Sequence, residues 1–134
     1  CITTNSTAST QYHLAFHASN SVVGSISSTG GVTSFNTTSD YRLKENVIAL
    51  TGALAALMQL RPVQYNFKGY SASQQGFIAH EAQQIVPAAV MGEKDDIYDD
   101  GTAKPQVMDY SKLVPLLVSA VQELAARVDE LAGA

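Results

Sequence analysis

The sequence has 134 residues, the length of one domain with or without an appendage, and a formal net charge of −4. That acidic balance argues against a nucleic-acid surface or an anionic membrane as partner, and no apolar run approaches the ~20 residues of a membrane span. A single cysteine, Cys1, excludes an internal disulfide, and no Cys/His spacing suggests zinc, so no metal or cofactor is expected.

The composition changes abruptly at Ser39. The first 38 residues contain no Asp, Glu, Lys or Arg, and 16 of them are Ser or Thr; all 20 charged residues follow, from Asp40 onward. Within the uncharged part, Tyr12, Leu14 and Phe16 alternate with His13, Ala15 and His17, the period of a strand. A second apolar run, Val22 to Ile26, ends at the turn signal Ser28-Thr29-Gly30-Gly31. So few large apolar residues cannot bury a core of their own. The segment is therefore a linker, or a β-rich stalk that shares a core with other copies of itself. His13 and His17 share a strand face, an arrangement more often packed or exposed than metal-binding.

Residues 40–109 read as a small α+β body. Thr51 is placed to cap a short helix running to Leu60, with Leu54, Leu57, Met58 and Leu60 as its apolar face; Pro62 ends it. Val63 to Phe67 alternates as a strand. Gly76 to Ala79 reads as another, leading into a helix from His80 to Val86 that stops at Pro87. The acidic stretch Glu93 to Asp100, closed by Gly101, reads as a solvated hairpin or loop and lacks the glycine of an EF-hand.

The C-terminal segment has the sharpest period. Val114, Val121 and Val128 fall at every a position of three heptads, and Leu117, Leu124 and Leu131 at every d position. Val118 and Ala125 at e, with Ala120 at g, widen the apolar face beyond a two-stranded seam. The pattern fits three associating helices, a helix also packed on the body, or an ordinary amphipathic helix on a monomer core. It should begin near Ser111, with Pro115 tolerated close to the start.

At the compositional border, Ser39 and Lys44 stand five residues apart. A serine hydroxyl becomes a nucleophile when a nearby base takes its proton, and a lysine in a suitable environment is such a base. On an extended chain the two would lie up to ~17 Å apart, so a dyad requires the backbone to fold back. The offset also suits one helix poorly, where facing residues are three or four apart.

Ser39-Asp40-Tyr41-Arg42-Leu43-Lys44-Glu45-Asn46-Val47 resembles the opening of the endosialidase-type intramolecular chaperone autoproteases, found at the C-terminal ends of phage tailspike and tail-fibre proteins. Three further blocks look like the same family in the same order. They are Leu60-Arg61-Pro62-Val63 with Tyr65-Asn66-Phe67, Gly76 to Glu81 followed by Pro87, and Asp109 to Leu117 entering the heptad helix. His80 stands where Gln is more usual.

The resemblance implies a homotrimer that helps upstream fibre segments of its own polypeptide register and intertwine. It then cuts itself off at the Thr38–Ser39 bond, with Ser39 as nucleophile and Lys44 as general base. Asp40 and Asn46 are possible supporting residues, and Val114, Leu117, Val121, Leu124, Val128 and Leu131 form the trimerisation helix. Residues 1–38 are expected to be the end of the mature fibre, retained on the virion. Residues 39–134 are expected to be the chaperone, released in the host cytoplasm during assembly. The missing initial Met suggests the C-terminal piece of a longer protein. Partners are thus the chain's own copies and its upstream segments, with neither nucleic acid nor membrane. The alternatives are a trimerisation module that never cuts and a receptor-binding tip within residues 1–38.

Overall fold

Two left-handed residues in succession, Ser19 and Asn20, turn the first strand back on the second. Positive φ at both centres of a two-residue loop matches the right-handed twist of the strands it joins. Gly30 and Gly31, also at positive φ, repeat the device one strand later. The result is an antiparallel meander of β1 (Gln11–Ala18), β2 (Ser21–Thr29) and β3 (Val32–Thr37), in the order β1-β2-β3. The computed structural model describes residues 10–133. The first nine residues of the expected stalk, Cys1 among them, and Ala134 lie outside the described residues.

Each face of this sheet has its own chemistry. Leu14, Ile26 and Phe35 stand on one rung across the three strands, and Phe35 is 80% exposed. On the opposite face Ser25 and Ser27 are buried, and the Asn36 amide donates to both hydroxyls, at 3.1 and 2.9 Å. The Nε2 of His13 lies 2.7 Å from the Ser28 hydroxyl. The buried hydroxyls of Ser25 and Ser27 are thus satisfied by the Asn36 amide on the face opposite Leu14, Ile26 and Phe35. Among the described residues this apolar face is exposed, as Leu14 and Phe35 show.

The chain divides into two compact units, the first ending at Ile48 and the second beginning at Ala49. The second unit is an α+β arrangement. It contains α1 (Ala53–Leu57), a hairpin of β4 (Val63–Asn66) and β5 (Ser73–Gly76), and α2 (Ala79–Ile85). A two-residue pair, β6 (Val90–Met91) with β7 (Val107–Met108), precedes the twenty-residue α3 (Leu113–Ala132). Its core consists of Ala53, Leu60, Ala82, Ala89, Val90, Leu113, Leu116 and Ala120. Half of these are alanines, so the core is thin for its length.

Several elements differ from the sequence expectation. Thr51 does not cap α1: Gly52 holds that position at φ 71, and no side chain of its own caps the helix. Glu123 of α3 supplies the cap instead, accepting from the Ala53 N–H at 2.9 Å and the Leu54 N–H at 3.1 Å. The helix also ends at Leu57, and Met58, expected on its apolar face, is 77% exposed. The strand placed at Gly76–Ala79 lies three residues earlier, because β4 pairs Val63 with Gly76 and runs back to Ser73. The acidic stretch does turn back on itself, through an Ile97–Ala103 bridge and a Lys104–Asp96 ion pair at 2.8 Å. No helix among the described residues is long and apolar enough to cross a membrane.

Helix α3 carries two stripes, offset by one residue. Leu113, Leu116, Ser119 and Ala120 are buried against the body, where α1 packs. Ser119 donates to the Leu50 carbonyl at 2.9 Å. Val114, Leu117, Val121, Leu124, Val128 and Leu131, the heptad residues, are all exposed.

Candidate active site

The site grows out of the last strand of the meander. Thr38, just past β3, is tied to β2 twice. Its N–H donates to the Val23 carbonyl at 3.0 Å, and its hydroxyl to the Val22 carbonyl at 2.9 Å. Beyond it the chain makes a single 3-10 turn, Tyr41–Leu43, with Asp40 as N-cap. Aspartate favours this position because its short carboxylate reaches a backbone N–H two residues on. Here Oδ1 accepts from the Arg42 N–H at 2.9 Å. The guanidinium of Arg42 closes the ring, with Nε on Oδ1 at 2.9 Å and Nη2 on Oδ2 at 2.6 Å. The Arg42 side chain, and then its backbone N–H, hold the Asp40 carboxyl below its ordinary range.

This turn solves the spacing problem. Leu43 N–H donates to Asp40 O and Lys44 N–H to Tyr41 O, both at 3.1 Å, so the chain reverses between Ser39 and Lys44. Nζ of Lys44 comes to 2.7 Å from Oγ of Ser39. Both residues are exposed in the single chain. Thr38, Ser39, Asp40 and Lys44 therefore occupy one short stretch. Asn46 has a left-handed backbone, φ 53, and among the described residues no hydrogen bond joins its side chain to Ser39 or Lys44. The heptad residues of α3 belong to the second unit. Among the described residues no three His, Cys, Asp or Glu side chains are grouped to hold a metal ion.

Sequence reasoning missed two partners. Arg42 was only part of a motif, although Asp-x-Arg is the pattern that lets a carboxylate cap its own turn and grip the arginine. Arg61 and Glu81 came from separate blocks, yet they form a two-pronged ion pair, Nε to Oε2 at 3.0 Å and Nη2 to Oε1 at 2.6 Å. That pairing is the forked geometry arginine makes with a carboxylate.

A chain with an α+β body, a long C-terminal helix and a serine–lysine contact at the foot of a β-meander invites comparison with chaperone domains. Residues 39–91 match the family model Peptidase_S74, chaperone of endosialidase. No curated protein matches the chain. The matched segment is similar to the endosialidase-type chaperone domain, and that likeness supports a chaperone role. The family's name also carries the word peptidase, in keeping with a segment that opens at Ser39.

Proposed function

We propose that residues 39–134 are an intramolecular chaperone that trimerises, guides the folding of a phage tail fibre or tailspike, and then releases itself. The release is serine-type autoproteolysis between Thr38 and Ser39. The observation that carries this reading is the 2.7 Å contact between Ser39 Oγ and Lys44 Nζ, at the first residue of the matched family segment.

The chemistry runs in two stages. Lys44 takes the hydroxyl proton while Ser39 Oγ attacks the Thr38 carbonyl carbon. The tetrahedral adduct collapses by breaking the Thr38 C–N bond, and Lys44 returns the proton to the departing nitrogen. Thr38 is then esterified to Oγ, and Ser39 has a free α-amino group. Water attacks the ester carbonyl, giving the Thr38 carboxylate and restoring the hydroxyl. The two hydrogen bonds from Thr38 to β2 hold the acyl side of the bond during attack, and positioning of that kind lowers a barrier entropically.

The chaperone half of the reading rests on exposed apolar surface. Six heptad residues on α3 and the Leu14–Phe35 face of the meander are uncovered in one chain. Three chains of a β-fibre must be aligned before any interchain contact forms. A helix seam that holds the chains together raises their effective concentration. Cutting afterwards leaves the assembled fibre kinetically trapped. In this reading residues 1–38 stay on the virion, and the chaperone is released in the host cytoplasm. The partners are two more copies of the chain and the upstream segments of the same polypeptide.

Intact-protein mass after native assembly tests it, with wild type beside Ser39→Ala and Lys44→Ala. Wild type should yield a piece ending at Thr38 and a piece beginning at Ser39, with both variants whole. A wild-type trimer that stays whole would leave a second reading, a trimerisation module that never cuts. The exposed heptad seam favours that module independently of the dyad.

A further inference from the structure

The geometry points to Asp40 as a positioning residue for the Ser39–Lys44 pair, acting by capping and clamping the 3-10 turn that brings nucleophile and base together. This inference rests on the autoproteolytic reading above. Asp40 does not touch either reacting group: its carboxylate is spent on the Arg42 N–H, Nε and Nη2. What it fixes is the backbone between them. Ser39 precedes the capped turn and Lys44 follows it, so the separation of their side chains is set by whether Tyr41–Leu43 holds its 3-10 shape.

The turn has little else to hold it. Tyr41 is 82% exposed and Leu43 is 73% exposed, and none of its residues is buried. A single 3-10 turn without packing is a marginal structure, because few hydrogen bonds offset the fixed dihedrals. The cap therefore decides its population. Arg42 adds a second grip on the same carboxylate, in the paired geometry that fixes direction as well as distance. An alanine at position 40 frees the turn, and Lys44 then spends most of its time away from Ser39.

The roles of the two carboxylate features separate experimentally. Asparagine is as good an N-cap as aspartate and keeps an oxygen for the Arg42 N–H, but it gives up the charge. Asp40→Ala should slow appearance of the Ser39-to-Ala134 fragment by about tenfold or more. The oligomeric state by size exclusion should not change. Asp40→Asn should recover the rate to within roughly threefold of wild type. Hydrogen exchange of the Arg42 amide, measured in the uncut Ser39→Ala background, gives a readout independent of cleavage. It should be faster with Asp40→Ala and near the parent value with Asp40→Asn. Asp40→Ala cutting at the wild-type rate, or exchanging at the parent rate, overturns the inference; so does Asp40→Asn as slow as Asp40→Ala. If instead wild type itself stays whole while the exchange pattern follows expectation, the autoproteolytic reading fails and the clamp stands as a feature of the turn alone.

Discussion

Glu123 caps helix α1 from across the second unit, its two carboxylate oxygens taking the N–H groups of Ala53 and Leu54. A five-residue helix has no interior, so the unpaired N–H groups of its first turn weigh heavily on its stability. The helix start is a Gly52 without a side chain, and a residue of α3 supplies what a local Ser or Asp would ordinarily provide. The body and α3 are thereby joined by polar contacts as well as by packing.

Glu123 should therefore make the body's stability depend on acid. The N–H groups of Leu54 and then Ala53 hold its carboxyl below the ordinary value of 4.5. A depressed folded-state value means that the stabilisation is complete above the unfolded value. It declines as pH falls through that value, and is gone below the folded one. Thermal melts from pH 7 down to pH 3 should show Glu123→Ala lower by a few degrees at neutral pH and converging on wild type in acid. Parallel curves across that range would mean that the cap contributes nothing.

The two stripes of α3 predict opposite outcomes for neighbouring leucines. Leu116 is 9% exposed and belongs to the core; Leu117 is 43% exposed and belongs to the seam proposed above. Leu116→Ala should destabilise the body by about 2–4 kcal/mol in chemical denaturation. Leu117→Asp should leave the body's circular dichroism intact and shift sedimentation from trimer to monomer. A Leu117→Asp protein that stays trimeric would place the seam elsewhere.

The double tether of Thr38 predicts that the cut reads out sheet formation. Thr38→Val removes the hydroxyl bond to the Val22 carbonyl while keeping the side chain's shape. Cleavage should slow severalfold, and Thr38→Ser, which keeps a hydroxyl, should restore most of the rate. Fragment appearance followed by mass spectrometry gives the comparison directly. Equal rates for the Val and Ser variants would show that the hydroxyl plays no part.

Gly76 and Tyr110 form a tight pair, because a Cβ at Gly76 would run into the Tyr110 hydroxyl. That hydroxyl also sits 3.4 Å from the Phe77 N–H, and the Phe77 and Tyr110 rings lie 6.1 Å apart. Gly76→Ala should lower the melting temperature, and adding Tyr110→Phe should recover part of the loss. A double variant no better than the sum of the singles would deny the coupling.

How much of this could be read from the residues varies with the range of the interaction. The period of two in Tyr12–Phe16 and the apolar run Val22–Ile26 lie within β1 and β2, and the heptad pattern of the C-terminal segment lies within α3. β3 is harder to read, since among large apolar residues it offers only Val32 and Phe35, with two hydroxyls between them and an amide after. The displaced β5 and the non-capping Thr51 share a cause. Pairing with β4 and a carboxylate from α3 are distant partners, and distant partners override local preference. The Ser39–Lys44 contact was suggested by resemblance and not by spacing, because five residues suit neither a helix nor an extended strand. A capped 3-10 turn is the third possibility, and its local signal was the pair Asp40 and Arg42.

The one-residue offset between the stripes of α3 has a mechanical meaning. Neighbouring residues on a helix are separated by about 100° of rotation, so a roll of that size would exchange the docked side chains for the free ones. Packing alone separates Leu116 from Leu117 poorly, since they are the same side chain, although Val121 is larger than the buried Ala120 it would replace. The Ser119–Leu50 and Glu123–Ala53/Leu54 hydrogen bonds are directional and have no counterpart one residue along. They act as a key in a keyway, indexing the shaft so that α3 keeps Val114, Leu117 and Val121 outward in every copy of the chain.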